Sequence, residues 1–246
     1  MYLKLAVLGL VQGLTEFFPV SSSGHLVLLQ VFWGLEDMLV FDIIMHLASL
    51  LAIIIFFRKQ ILNIDFKFLA KLLLAMVPTG LVYIVLKKTI GDFFESLDWL
   101  WFLFILSGLF IYFTKFSIPK NKTVKFTDAL FIGFFQGVAL LPGLSRSGLT
   151  VSSALYRKLV QGKAVEFSFL LGAVAICAAT IIKVPSIMEN GFHFNGPVII
   201  AFFVSFFTSL LALKLVIKVI SAAKFYRFAY YCWFIGIVSL IIKFTK

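Results

Sequence analysis

At 246 residues, 62% of them hydrophobic and with a mean hydropathy of +1.08, the chain is too apolar for a soluble domain, where about half the residues are apolar. Its apolar runs are continuous rather than alternating, which excludes a β-barrel and leaves an all-α polytopic membrane protein. A formal net charge of +11 without a basic soluble module excludes a nucleic-acid partner and fits lysines and arginines gathered in cytoplasmic loops.

Taken in chain order, the first apolar segment covers 3–34 and is broken by "FFPVSSSG", residues 17–24. Its start carries only Lys4 as a basic residue, with no small-residue cleavage site, so it does not read as a removable signal. A membrane crossing takes about 20 mostly apolar residues. Such runs follow at 38–57, 68–87 and 98–115. A second broken segment, 128–158, carries "LLPGLSRSGLT" at 140–150, where Pro142 and Gly143 end one helix and another begins around Ser145 to Gly148. Further crossings are expected at 164–187, 196–218 and 226–244. Cys177 and Cys232 lie in these runs without paired spacing and read as buried thiols.

Charge decides how the broken segments are threaded. If both are re-entrant hairpins and the other six runs cross, fifteen basic residues share one face: Arg58, Lys59, Lys67, Lys71, Lys115, Lys120, Lys122, Lys125, Arg157, Lys158, Lys163, Lys214, Lys218, Lys224 and Arg227. Six lie on the other face: Lys4, Lys87, Lys88, Lys183, Lys243 and Lys246. The rich face is then cytoplasmic, both termini are outside, and only Arg146 is left within the membrane.

The two broken segments are related. Residues 9–24, "GLVQGLTEFFPVSSSG", align with 133–148, "GFFQGVALLPGLSRSG", at a constant offset of 124. Gly9, Gln12, Gly13, Ser21, Ser23 and Gly24 face Gly133, Gln136, Gly137, Ser145, Ser147 and Gly148. With three crossings in each half, 1–118 and 125–246 form an inverted-topology repeat within a single membrane domain, and the two hairpins meet near the midplane. Interrupted helices in inverted repeats build binding sites there. Irregular backbone at that depth is tolerated only inside protein or beside a wet cavity.

The chemistry-bearing residues fall in these breaks. Free N–H groups at the helix start near Ser145–Gly148 favour an anion, and Arg146 can grip phosphate oxygens in bidentate fashion. Ser145, Ser147 and Thr150 add hydroxyls. A charged residue at this depth is costly and needs a partner, so Arg146 meets either phosphate or a carboxylate such as Glu16. Gln12 and Glu16 are four apart on one helical face, an oxygen pair suited to a hard divalent cation, Mg2+ or Ca2+, as well as to a simple ion pair with Arg146. His25, three residues past Ser22, is placed either to move a proton or to serve as a hydrogen-bonded interior histidine. Ser21 and Ser23 line the same break.

"LGLVQGLTEFFPVSSSGHL", "PGLSRSGLT" and "VEFSFLLG", in that order, resemble the undecaprenyl-pyrophosphate phosphatase family of the bacitracin-resistance type through nearly the whole chain. The resemblance implies an integral enzyme of the bacterial plasma membrane. It would hydrolyse undecaprenyl diphosphate to the monophosphate with a divalent metal, recycle the lipid carrier for wall synthesis and confer bacitracin resistance, with a site open to the outer leaflet. Carried over by position, Glu16, Ser22, His25 and Arg146 would be catalytic. Gln12 with Glu16 would serve the metal, and Gln12, Ser21, Ser23, Ser145, Ser147, Gly148 and Thr150 would bind substrate. The chain departs from the family pattern at Gln12 and Asp42, where glutamate is usual, and at Ala173-Val174-Ala175, where a proline is common. Glu166 and His46 read as helix-packing or capping groups rather than catalysts.

The partners implied are a polyprenyl diphosphate and the surrounding lipid, with a homo-oligomer left open. A polyprenyl-phosphate flippase is the competing class, since transporters also use inverted repeats and midplane anion sites. A flippase needs Arg146 but has no use for Ser22 and His25. A pore is excluded, because nothing forms a ring of like charge or a carbonyl filter.

Overall fold

The computed structural model describes residues 1–95, 97–120, 123–190, 195–221 and 224–245; Lys122 and Lys246 of the charge tally lie outside them. Among the described residues the chain is all-helical. The first broken segment is α1 (Tyr2–Thr15) and α2 (Ser22–Trp33). Then come α3 (Leu39–Phe56), the short α4 (Arg58–Leu62), α5 (Phe66–Glu95) and α6 (Leu100–Tyr112), the last extended by a 3-10 turn at Phe113–Phe116. The second broken segment is α7 (Phe126–Val138) and α8 (Arg146–Tyr156). The chain closes with α9 (Gln161–Asn190), α10 (Gly196–Ser221) and α11 (Phe228–Thr245).

Among the described residues five helices, α3, α5, α9, α10 and α11 with the turn before it, are long and apolar enough to cross a membrane. The sixth expected crossing, α6 with its turn, is shorter, ending at Phe116. The arms of the broken segments are shorter still. At 1.5 Å per residue, the 14 residues of α1 reach ~21 Å and the 11 of α8 ~16 Å, against a hydrocarbon core of ~30 Å.

Each broken pair is tied together at its open end. Lys4 Nζ donates to the Trp33 carbonyl at 3.4 Å, linking the start of α1 to the end of α2. Arg157 Nε donates to Asp128 Oδ1 at 2.7 Å, and the Lys120 N–H to the Lys158 carbonyl at 2.9 Å, linking the start of α7 to the end of α8. Each pair is therefore a hairpin. Helix α7 ends at Val138, a turn earlier than Pro142 and Gly143 would require; residues 139–145 form the bend, with Gly143 at φ +97.

Small residues bring the hairpins against the long helices. On α1, a Cβ at Gly9 would run into the Ala201 carbonyl oxygen of α10, and one at Gly13 into Thr208 and the Ser205 carbonyl. On α7, a Cβ at Gly133 would run into the Ala75 carbonyl oxygen of α5, and one at Gly137 would meet Val82 Cβ at 2.7 Å. Without a hydrophobic driving force between helices in lipid, such close backbone approach and interhelical hydrogen bonds supply the association. Thr79 Oγ1 on α5 donates to the Gly133 carbonyl at 2.8 Å, and Ser49 and Ser209 hydroxyls join α3 to α10 at 3.0 Å. Helices α6 and α11 pack on each other and pin the bends. The Ser145 N–H donates to Ser107 Oγ of α6 at 3.1 Å, and Cys232 Sγ of α11 donates to the Pro19 carbonyl at 3.3 Å. Cys232 is buried as expected, whereas Cys177 is exposed on α9: hydropathy does not distinguish an exposed position in an apolar run from a core one. Helix α9 continues through Ala173-Val174-Ala175 without a break.

Candidate active site

Both bends end in the same local device. Ser21 precedes α2 and its hydroxyl accepts from the Gly24 N–H at 3.3 Å; Ser145 precedes α8 and its hydroxyl accepts from the Gly148 N–H at 3.0 Å. Serine caps satisfy donors that a helix start leaves free. The two caps differ in strain. Ser145 is extended at φ −80, but Ser21 sits at φ +67, a conformation a residue with a side chain adopts at a cost of about 1–3 kcal/mol and one that clusters at functional sites.

The bends clasp each other. The Gly143 N–H donates to Ser21 Oγ at 3.1 Å, and Ser147 Oγ donates to the Phe18 carbonyl at 3.1 Å. A Cβ at Gly24 would lie 2.9 Å from the Gly143 nitrogen, so the two backbones meet only because residue 24 is glycine.

At this junction Glu16, the residue that ends α1, collects four partners while only 5% exposed. Arg146 Nη2 pairs with its Oε1. Ser22 Oγ donates to Oε2 at 2.6 Å, and Gln12 Nε2 donates to the same oxygen at 2.9 Å. His46 Nε2 of α3 lies 3.6 Å from it. One face of α1 thus carries Gln12 and Glu16 together, as their spacing requires. Arg146, the first residue of α8, reaches Glu16 by lying across α9 at Gly172, where a Cβ would collide with its guanidinium. Gln12 Oε1 is buried and finds no hydrogen-bond partner among the described residues.

His46, read from sequence as a packing or capping group, is a member of this cluster. Its Nδ1 donates to the Asp42 carbonyl one turn back at 2.6 Å, which aims Nε2 at the carboxylate. Asp42 itself accepts from Gln30 Nε2 of α2 at 2.8 Å. Glu166, by contrast, pairs with Lys163 at 2.8 Å within the first turns of α9, away from the bends. His25 is buried on α2, but neither ring nitrogen is bonded to Ser22 or Glu16. Nδ1 is 2.7 Å from the Ser21 carbonyl and Nε2 is 2.9 Å from the Tyr231 hydroxyl of α11. The remaining hydroxyls hold the bends together: Ser21 and Ser23 lie 3.4 Å apart, Ser145 and Ser147 3.3 Å, and Thr150 Oγ1 donates to the Arg146 carbonyl at 2.8 Å.

A carboxylate, a hydroxyl bonded to it, a guanidinium and two helix starts are gathered among long apolar helices, which is the make-up of an integral membrane protein with a buried polar junction; helix starts and a guanidinium are groups that favour an anion. The chain belongs to the family described as bacitracin resistance protein BacA, which matches residues 5–238. It is 40% identical over 249 residues to an undecaprenyl-diphosphatase of Carboxydothermus hydrogenoformans, covering 96% of this chain and 95% of that one. It is 36% identical to an undecaprenyl-diphosphatase of Desulforapulum autotrophicum, with 97% of both chains covered. It is 33% identical to undecaprenyl-diphosphatase 3 of Bacillus cereus, covering 99% of this chain and 98% of that one.

Proposed function

We propose that this chain hydrolyses undecaprenyl diphosphate to the monophosphate and inorganic phosphate at the junction of the two bends. The relatives' shared activity supports the substrate, and one contact carries the chemistry: Ser22 Oγ donates to Glu16 Oε2 at 2.6 Å beside Arg146. A hydroxyl bonded to a carboxylate is a nucleophile with a proton acceptor in place. A lipid flippase requires the arginine but gains nothing from an activated hydroxyl.

In this reading the terminal phosphate takes over Arg146 from Glu16, and the starts of α2 and α8 direct N–H groups toward it. Ser22 Oγ attacks the terminal phosphorus as its proton passes to Glu16, and the bond to the bridging oxygen breaks. Undecaprenyl monophosphate leaves, and water then releases phosphate from Ser22. Charge grows on the transferred group and the leaving oxygen, which Arg146 and the N–H groups stabilise. His25, neutral with Nε2 as an acceptor, takes up a proton as water attacks in the second step, and His46 fixes the orientation of Glu16.

The donor set also fits a divalent cation, Mg2+ by preference. Gln12 Oε1 is an orphaned buried oxygen on the residue whose amide nitrogen binds Glu16. Magnesium is commonly held by one or two carboxylates plus substrate phosphate. Glu16 and Gln12 would hold it, and when bound it would supply charge for the diphosphate oxygens.

The site belongs to an inverted repeat of 1–118 and 125–246, in the plasma membrane and facing the outer leaflet. In support, α1 packs on α10 as α7 packs on α5, and α6 packs on α11. The test is phosphate release by the purified protein in detergent with undecaprenyl diphosphate. Turnover that stops with EDTA and returns with Mg2+ is expected. Lipid movement across vesicles without phosphate release would replace the hydrolase by the flippase.

A further inference from the structure

His25 is fixed from the opposite half of the chain. A carbonyl oxygen only accepts, so the 2.7 Å contact with Ser21 puts the proton on Nδ1. In the neutral ring Nε2 is then an acceptor, and the Tyr231 hydroxyl, 2.9 Å away, donates to it. The two rings are also stacked, 5.7 Å between centroids and 13° between planes, while Phe104 of α6 closes the other side edge-on at 5.3 Å. Ser21 is the one capping serine of the two bends held at positive φ, so strain in the backbone serves the same contact.

We propose that Tyr231 is a positioning residue for the phosphatase reaction, acting through His25. A phenol both donates and accepts. When Nε2 carries a proton, the hydroxyl rotates and its oxygen accepts, so one partner holds the imidazole in both protonation states while the stacked ring fixes its plane. Tyr231 lies on α11, outside both bend motifs, and contacts neither Glu16 nor Arg146 through any described hydrogen bond. The inference rests on the reading that His25 takes part in the reaction.

A double-mutant cycle tests it with Tyr231→Phe, which keeps the ring and removes only the hydroxyl, and His25→Ala. Phosphate release from undecaprenyl diphosphate is followed in detergent for the two single variants and the double. Tyr231→Phe is expected to lower kcat ~10-fold, the scale of one hydrogen bond, with KM unchanged. The same substitution is expected to add nothing in the His25→Ala background. Wild-type kcat in Tyr231→Phe alongside a slow His25→Ala overturns the role of Tyr231 alone. Additive losses overturn it too, by showing that Tyr231 acts elsewhere. Wild-type kcat in His25→Ala removes His25 from the reaction, and the inference with it.

Discussion

Arg146, half-buried, is the charged partner of the buried Glu16 carboxylate. Arg146→Ala therefore has two separable effects. It removes the guanidinium from the buried Glu16 carboxylate, a loss below the ~3–5 kcal/mol of a fully buried pair broken on one side, because Ser22 and Gln12 still donate to it. It also removes a transition-state donor, worth ~100-fold or more in kcat. Unfolding midpoints and phosphate release, measured on the same preparation, check both. The histidine at 46 acts on the same carboxylate from α3. His46→Ala is expected to slow phosphate release ~10-fold, the weight of one contact to a charged group. His46→Gln, whose amide nitrogen reaches the place of Nε2, is expected to restore most of it in the same assay. Gln12, Glu16, Ser22 and Arg146 were legible because they occur in two motifs and helical spacing brings the first two together. His46 was not, since it reaches Glu16 only because α3 packs beside α1, and no local pattern records that neighbour.

Most of the crossings were legible to within about three residues, although α5 runs on to Glu95 from an expected 87 and α7 stops a turn early. Lipid offers a backbone no partners, so every crossing must be a continuous apolar helix, and Pro19 with three serines can only mean a break. The hairpins were expected from charge, which separates best when both broken segments are re-entrant, and the structure gives their four arms 14 residues or fewer. What holds them was less visible. Gly9 with Gly13, and Gly133 with Gly137, appear in sequence as matches between repeats; the structure shows them as the surfaces on which α1 meets α10 and α7 meets α5. Gly133→Leu is expected to force α7 off α5 at an overpacking cost of about 1–3 kcal/mol. A lowered unfolding midpoint in detergent, with a comparable loss at Gly9→Leu, is the expected measurement, and an unchanged midpoint at either position would remove that contact from the fold.

At the scale of the whole molecule, the fold brings a carboxylate from one half against an arginine from the other, 130 residues apart in sequence. The offset of 124 places Ser22 of one half where the other has Arg146, and in the proposed repeat that difference is what makes the junction chemically useful. The charge asymmetry is the ground for the proposed orientation, with the basic-rich face cytoplasmic. Single cysteines at Lys4 and Lys163, in a chain lacking Cys177 and Cys232, are expected to label from opposite sides of sealed vesicles, Lys163→Cys from the cytoplasmic side. Labelling of both from one side would overturn the threading.

The account stands most directly on the bond between Ser22 and Glu16. Single-turnover phosphate release from undecaprenyl diphosphate by Ser22→Ala, with substrate binding measured on the same protein, tests it. Retained binding with release slowed by several orders of magnitude is the predicted result. Release at the wild-type rate would contradict it.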